Sequence, residues 1–156
     1  MELKDLKKEY IKLEKKYKLP GFNELNEGFE IDRIERDTDY ILREIRKTMM
    51  DKIIGYKRFL EMMLAPSTAP PMFMIFIKEV RQDERAEVEN VYKALVELEL
   101  ESFKREIGYS EKVEAEVVKK IYETWKGLKP KFGKIIGMME RNWRAASTKK
   151  ERGYFG

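Results

Sequence analysis

The sequence has no cysteine and no histidine, and Gln82 is the single glutamine among its 156 residues. A chain without cysteine forms neither disulfides nor thiolate metal sites, so a secreted, disulfide-stabilised fold is not expected. Without histidine, Ser-His-Asp catalysis, Cys-His catalysis and imidazole metal sites are impossible, as are the Glu-x-x-His sites of ferritin-like di-iron proteins. The remaining chemistry belongs to carboxylates, hydroxyls and basic side chains, and we expect no cofactor.

Long apolar runs are also absent. The longest is residues 72–77, Met-Phe-Met-Ile-Phe-Ile, whereas a membrane-spanning helix needs ~20 apolar residues. The amino terminus, MELKDLKKEYIKLEKKY, lacks the continuous apolar segment of a signal peptide. The sequence therefore predicts a soluble, cytoplasmic protein with no membrane partner.

What the chain has in abundance is charge of both signs. Charged residues make up 40% of the sequence, against a usual share of about 25%. The excess consists of Lys, Arg and Glu, while amide side chains and cysteine are scarce or missing. This profile is typical of proteins from hyperthermophiles, in which charged surfaces maintain solubility and stability at high temperature.

Three segments place apolar residues at steps of three and four, the spacing of an amphipathic helix. The first covers residues 3–19 and ends at Pro20, and residues 22–28 leave room for one further helical turn. The second runs without proline over residues 31–64, and the third covers residues 72–107 after a proline-rich turn. These patterns predict an all-α, antiparallel helical bundle with two long central helices.

The third segment carries two sets of apolar residues. Its main stripe consists of Val80, Val88, Val91, Leu95 and Leu98. The set that supports this stripe consists of Tyr92, Val96, Leu100, Phe103 and Ile107. We attribute both sets to the packed face of the helix. Residues 81–87 are nearly all polar, so we expect the first third of the segment to be divided from the rest.

The carboxyl-terminal quarter contains a helix with a proline in its middle. This fourth helix begins near Ser110, a favourable N-cap residue. Pro130 is expected to kink or break it, which leaves a fifth helical piece over residues 131–146. The sequence thus predicts one helical-bundle domain, residues 1–146, followed by a basic tail, residues 147–156.

Carboxylates at helical spacing offer one enzymatic interpretation. All-helical magnesium-dependent nucleotide hydrolases use a Glu-x-x-Glu pair on one helix and a second acidic pair on another. Two carboxylates three residues apart share a helix face and can share a hard cation. The candidate metal ligands here are Glu84, Glu87, Glu111 and Glu114. Such pairs also arise by chance in so glutamate-rich a chain, and the second pair lacks the Asp that these enzymes use.

Basic residues are concentrated toward the carboxyl terminus. Residues 117–156 carry a net charge of +8, whereas the first 116 residues sum to −4. Basic side chains displace phosphate counterions and interleaved aromatic rings stack on bases, so this portion is a candidate RNA or DNA surface. The candidate phosphate-contacting residues are Lys119, Lys126, Lys129, Lys134, Arg141, Arg144, Lys149 and Lys150. The opposing interpretation places Trp125, Phe132 and Trp143 in the core and leaves the lysines as solvated faces.

Methionine and phenylalanine are dense between residues 62 and 77. Met is flexible and polarisable, so Met-rich surfaces adapt to varied apolar partners. Neighbouring residues on a helix diverge by ~100°, so one Met of each doublet must face a second neighbour, a subunit or water. The candidate interface residues are Met62, Met63, Met72, Phe73 and Phe76. A second copy of the chain is the favoured partner, and an amphipathic helix of another protein is the alternative.

The sequence therefore favours a non-enzymatic interaction or assembly protein, a helical bundle that forms a homodimer through residues 62–77. A nucleic-acid-binding accessory protein that uses the basic carboxyl-terminal quarter is the first alternative. A magnesium-dependent nucleotide hydrolase is the second.

Overall fold

The structure, a computed structural model, describes residues 2–35 and 37–149, and its regular elements there are all helical. The α-helices are α1 (Leu3–Tyr17), α2 (Phe22–Phe29), α3 (Ile41–Leu64), α4 (Met72–Ile77), α5 (Gln82–Lys104) and α6 (Glu111–Lys149). Two short 3-10 turns, Ile31–Arg33 and Pro66–Thr68, lie between them along the chain. The predicted all-α helical bundle is confirmed.

The first two helices follow the predicted pattern. Lys18 ends α1 in the left-handed conformation, with a φ of 55°. The buried Tyr10 then donates a hydrogen bond from its hydroxyl to the Pro20 carbonyl, which ties α1 to the turn that leads into α2. The side chains that α2 buries are Phe22, Leu25 and Phe29. The predicted helix over 3–19 and the helical segment after it are both present.

The third helix begins at Ile41, so the predicted helical conformation of residues 31–40 is wrong. A 3-10 turn occupies Ile31–Arg33, and the Thr38 Oγ1 accepts a hydrogen bond from the Tyr40 N–H at 2.9 Å. Short hydroxyl side chains that bond nearby backbone compete with helix formation. The apolar residues that suggested a longer helix are nevertheless buried, because an irregular segment can also reach the core; they are Ile31 and Ile34.

The third predicted helix is two helices in the structure. α4 contains the apolar run of residues 72–77, and α5 begins only at Gln82. Glu84 marks this new start because its carboxylate accepts the N–H of Arg81 at 3.1 Å, half of a capping box. The division expected from the polar residues 81–87 is therefore present.

Pro130 lies inside α6 without ending it, so a break and a separate helix over residues 131–146 are wrong, and the kink that was the other expectation stays a prediction. An internal proline loses one backbone hydrogen bond and crowds the carbonyl four residues earlier, which costs about 3 kcal/mol. Pro130 and Lys126 are exposed, whereas α6 buries apolar residues both before and after the proline, at Trp125 and Phe132. Burial along this stripe offsets the local cost. Three helices rather than two are consequently long, with 24, 23 and 39 residues.

The end of α6 bears on the predicted tail. The helix continues to Lys149, so residues 147–149 are helical. Lys150 and the rest of the predicted tail lie outside the described residues. The proposed boundary at residue 146 stays a prediction.

The chain divides into two compact units, and α3, α5 and α6 contribute residues to both. Unit 1 comprises Met1–Gly55 and Leu95–Trp125, and unit 2 comprises Tyr56–Ala94 and Lys126–Gly156. The buried core of unit 1 includes Leu42, Ile45, Met49, Leu95, Leu98, Val118 and Ile121. The buried core of unit 2 includes Leu60, Met63, Phe73, Val88, Val91, Phe132, Ile135 and Met139.

Candidate interaction surface on α5

The carboxyl-terminal end of α5 is held by two arginines of α3. Arg46 donates through Nη1 to the Ser102 carbonyl at 3.2 Å and to the Ser102 hydroxyl at 2.6 Å. Arg43 donates through Nη2 to the carbonyls of Arg105 at 2.7 Å and Gly108 at 3.0 Å. The last carbonyls of a helix lack intrahelical partners and carry partial negative charge, so cations stabilise them. Arg46 therefore binds the last turn of α5, and Arg43 binds the turn that follows it.

Glu114 of α6 completes this arrangement. Its carboxylate accepts hydrogen bonds from Arg46 Nε at 2.6 Å and from Arg43 Nε at 3.3 Å. Arg46 is 1% exposed and Glu114 is 0% exposed. Glu114 also lies in the first turn of α6, where the helix dipole favours a negative charge. The buried ion pair thus joins the end of α5 to the beginning of α6.

Arg46 has a second carboxylate partner in Glu106, whose Oε1 lies 2.8 Å from Arg46 Nη2. The hydrogen bond from Arg46 holds the pKa of the Glu106 carboxyl below its usual value. The donors of the Arg46 guanidinium are therefore used by groups of the chain itself. We conclude that this cluster positions the segment that follows α5.

The anchored end of α5 and the turn that follows it present three large apolar side chains to solvent. Leu100 is 59% exposed, Phe103 is 69% exposed and Ile107 is 89% exposed. The opposite face of the helix is buried at Leu95 and Leu98. A helix needs only one apolar face to pack against its own chain. We call Leu100, Phe103 and Ile107 the α5 stripe.

The attribution of the α5 stripe to the packed face is wrong. Residues two apart on a helix point about 200° away from each other, so Leu98 and Leu100 cannot lie on the same face. Leu98 is buried in the core of unit 1, so Leu100, Phe103 and Ile107 are exposed to solvent. Scattered exposed apolar side chains are ordinary in proteins, whereas a contiguous group marks a place where something docks.

Phe103 forms a ridge between two open grooves in unit 1. The first groove, of about 410 Å³, is lined by the α5 stripe and by Glu97, Glu101, Lys104 and Lys120. The second groove, of about 590 Å³, is lined by α3 and α5 residues that include Lys47, Met50, Ile54, Glu99, Ser102 and Phe103. The surface around Phe103 therefore combines an apolar ridge with concave walls that carry charges of both signs.

The five predicted interface residues are divided between the interior and the surface of unit 2. Phe73 and Met63 are buried within the chain. Phe76 and Met62 are half-buried, and the rings of Phe73 and Phe76 contact each other edge to face at 5.3 Å. Met72 is 49% exposed and is the most accessible of the five. Their role in self-association stays a prediction.

Some of the predicted phosphate-contacting residues bind groups of the chain. Arg141 makes a bidentate ion pair with Glu84 at 2.9 and 3.0 Å. Lys119 donates to the Tyr17 carbonyl at 2.8 Å. The members of the set whose residues are exposed are Lys126, Lys129, Lys134, Arg141 and Arg144. The basic portion therefore combines exposed lysines with cations that already serve the fold.

The aromatic rings of the basic portion differ in accessibility. Trp125 and Phe132 are each 8% exposed and belong to the core, as the opposing interpretation expects. Trp143 is 44% exposed, with its ring 6.2 Å from that of Phe76. Trp143 is thus the one ring of these three that presents a substantial surface to solvent.

The four predicted metal-ligating carboxylates each contact donors of the chain. Arg141 hydrogen-bonds Glu84 and lowers the pKa of its carboxyl to about 2. Glu111 accepts from the hydroxyl of Tyr17 at 2.6 Å, and this bond lowers the pKa of its carboxyl. Glu87 lies 3.8 Å from Lys131, and Glu114 pairs with the arginines of α3. Glu84 and Glu87 belong to unit 2, and Glu111 and Glu114 to unit 1.

Two further findings concern the whole of the described chain. Over residues 2–35 and 37–149, no cluster of three or more acidic side chains has the arrangement that would hold a metal ion. In the same residues, none of the helices combines the length and hydropathy that crossing a bilayer requires.

No protein-family model, no curated protein and no solved structure matches this chain.

Sequence reasoning missed both the arginine cluster and the α5 stripe. Arg46 had a detectable signal, because it stands among Leu42, Ile45 and Met49 on the apolar face of α3, where a charge needs a buried partner. For the α5 stripe, the signal was that Leu100 points about 200° away from Leu98 around the helix, so the two residues cannot both face the core. Ser102 and Glu106 offered none, since their role depends on how α5 ends.

Proposed function

We propose that this chain is a non-enzymatic interaction protein that self-associates through the α5 stripe. The observation that carries the proposal is the group of three apolar side chains, Leu100, Phe103 and Ile107, exposed at the anchored end of α5. Flexible termini often expose apolar residues without consequence, but this segment is held by Arg43 and Arg46. A rigid apolar surface loses little conformational entropy when it binds, which favours association.

The energetics of burial support this assignment. Burying one large apolar side chain contributes about 1.5–3 kcal/mol. A symmetric pair buries the α5 stripe twice, which amounts to a gross gain on the order of 10 kcal/mol. The entropic cost of association is about 4–15 kcal/mol, which is comparable to this gain. Smaller contributions, such as charge complementarity around the stripe, therefore determine the final affinity.

The location near residues 62–77 that the sequence predicts is a competing site for the same function. Phe73 supports it less well than expected, because this side chain is buried in its own chain against Phe59 and Phe76. Replacing Phe73 by Asp would disturb the core of unit 2 and would not test an interface. Met72, at 49% exposed, is the residue through which that location can be tested without unfolding.

The experiment measures the mass of the wild-type chain and of three variants by sedimentation equilibrium between about 1 and 100 μM. We expect the wild type to form a dimer, and Phe103→Asp to be a monomer that keeps the helical circular dichroism spectrum of the wild type, since Phe103 is 69% exposed. Its melting temperature should no longer depend on protein concentration. Ile136→Asp is the matched control, because Ile136 is an exposed apolar residue of α6 at 42%.

Each outcome of this experiment decides one question. A dimer that Met72→Asp dissociates and Phe103→Asp leaves intact would move the interface to residues 62–77. A wild-type chain that is monomeric throughout the range would refute self-association. If Ile136→Asp dissociates the dimer as completely as Phe103→Asp does, any added surface charge has this effect, and the assignment of the interface to α5 would be refuted.

A further inference from the structure

We propose that two copies of the chain pair antiparallel along α5, about a twofold axis that passes between residues 101 and 102. This inference rests on the proposed function and specifies its geometry. The apolar residues along this face of α5 and the turn after it are Val96, Leu100, Phe103 and Ile107. Ile107 lies three residues beyond the end of α5 at Lys104. The steps of four, three and four are the same in both directions, so a twofold axis at the centre of this set pairs each member with another member. Leu100 then meets Phe103 of the second copy.

The shape of the surface is self-complementary in this register. Phe103 is a ridge, and the groove of about 410 Å³ beside it is lined by Leu100 and Ile107. A twofold axis at this point brings the Phe103 ring of each copy to the groove of the other, so that one surface supplies both the ridge and the groove. The second groove, on the α3 side, leaves room for the helix of the second copy to approach.

Charge complementarity selects the antiparallel direction. Glu97, Glu101 and Lys104 line one edge of the α5 stripe, with the acids toward its beginning and the base toward its end. Lys120 of α6 lies 3.8 Å from Glu101 in an exposed pair. A parallel pair places this edge beside the opposite edge of the second helix, which carries Glu99, so that Glu97 and Glu101 meet a further acid. An antiparallel pair places Lys104 beside Glu97 and Glu101 of the second copy, and it also opposes the two helix dipoles.

The ion pair that Lys104 makes with Glu101 of its own chain does not oppose this arrangement. Lys104 Nζ lies 3.5 Å from Glu101, and the lysine side chain is 63% exposed. Exposed pairs at i, i+3 spacing stabilise a helix only weakly. Lys104 can therefore turn toward a second copy with little loss.

The absence of cysteine from the chain allows a direct test of the register. Val96→Cys and Ile107→Cys are made as separate variants, mixed in equal amounts and oxidised. In the proposed register Val96 faces Ile107 of the second copy, whereas two copies of Val96 lie about 16 Å apart along the helix axis. Since a disulfide requires Cα atoms within about 7 Å, only the mixture should give a covalent dimer.

Controls separate the register from the proposed function itself. Each variant is also oxidised alone, and its mass is measured under reducing conditions. Cross-linking of Val96→Cys alone would overturn the axis between residues 101 and 102, and cross-linking of each of the two variants alone would overturn the antiparallel direction in favour of a parallel one. Reduced dimers that do not cross-link in the mixture would overturn the register while self-association stands. A wild-type chain and reduced variants that are all monomeric would overturn both.

Discussion

Arg46 and Glu114 form a buried ion pair at the junction of α5 and α6, with Arg46 Nε 2.6 Å from the Glu114 carboxylate. Two buried charges cost several kcal/mol each in lost hydration, and their attraction compensates for this only when hydrogen bonds satisfy the remaining groups. Ser102 and Glu106 supply those bonds to Arg46. The pair therefore restricts how α5 can end and α6 can begin, and with them the position of the α5 stripe.

Replacing Glu114 by Gln should destabilise the protein strongly. Gln keeps the size of the side chain but leaves the buried Arg46 without its nearest compensating charge. Breaking one side of a buried pair costs about 3–5 kcal/mol, and we expect a loss of about that size in the free energy of unfolding at pH 7. Chemical denaturation followed by circular dichroism measures this change.

The double variant Arg46→Met with Glu114→Leu is the informative partner of this experiment. Apolar residues of similar volume often replace a buried ion pair at little cost, because neither buried charge is left without its partner. The other partners, Arg43 and Glu106, have side chains that are 20% and 44% exposed and so keep contact with water. We expect it to recover most of the stability that Glu114→Gln loses. A double variant as unstable as the single one would show that the bonds from Arg46 to Ser102 and Glu106 outweigh the pair with Glu114.

Glu84 should give the stability of unit 2 a characteristic dependence on pH. Arg141 lowers the pKa of the Glu84 carboxyl to about 2. A lowered pKa in the folded state stabilises the protein above the unfolded value of about 4.3, and this contribution is lost as the pH falls toward 2. Because Arg141 is 48% exposed, solvent reduces the contribution to about 1–2 kcal/mol.

The comparison of wild type with Glu84→Gln tests this dependence. Their difference in unfolding free energy should be constant from pH 7 to about 5 and should vanish near pH 2. Glu87→Gln is the matched control on the same helix, since Glu87 lies 3.8 Å from Lys131 in an exposed pair. Its difference from wild type should stay under about 0.5 kcal/mol. An equal pH dependence in both variants would argue against a specific role for the Arg141 pair.

Periodicity predicted the helical class and most of the buried residues correctly, because core packing requires one apolar face per helix. Leu6, Tyr10, Leu95 and Leu98 are buried as the pattern indicates. The apolar pattern failed in two ways, because an apolar residue can be buried without being helical and can be helical without being buried. Ile34 is buried from an irregular segment, and Phe103 is exposed on a helix whose opposite face is buried.

The candidate site was beyond the reach of spacing alone. Its position depends on contacts between residues far apart in the chain, such as Arg46 with Ser102 and Glu114. Composition identifies many arginines and glutamates here but does not show which of them are buried together. A charged residue within an apolar stripe, as Arg46 is, remains the best signal that a sequence carries for such a cluster.

Pro130 should lower the stability of the protein, because it stands inside a continuous helix. Pro130→Ala restores the missing N–H and removes the crowding at the carbonyl of Lys126, so we expect a gain of about 1–3 kcal/mol in the free energy of unfolding. Gly133→Ala provides a comparison: a Cβ there meets no atom within 4 Å, and it should add about 1 kcal/mol. A loss on Pro130→Ala, measured by chemical denaturation, would mean that α6 needs a local distortion at this point.

Reversing the charge of Lys104 should weaken the dimer. In the antiparallel register Lys104 lies beside Glu97 of the second copy, so Lys104→Glu replaces two symmetric attractions by two repulsions. Exposed pairs contribute about 0.2–1 kcal/mol each, and we expect the dissociation constant to rise about five- to tenfold at low salt. Sedimentation equilibrium at about 20 and 500 mM salt should show this effect shrinking as ionic strength rises.

The double variant Glu97→Lys with Lys104→Glu decides whether these two residues meet. Exchanging the charges restores opposite signs between residues 97 and 104 of the two copies, while Glu101 still repels the carboxylate at position 104. The dissociation constant should therefore fall part of the way from that of Lys104→Glu toward that of the wild type, since exposed pairs act mainly through charge. Lys112→Glu, an exposed change on α6, is the control for net charge. If the double variant is as weak as Lys104→Glu alone, while Lys112→Glu has no effect, Lys104 does not meet Glu97 of the second copy, and the axis between residues 101 and 102 is misplaced.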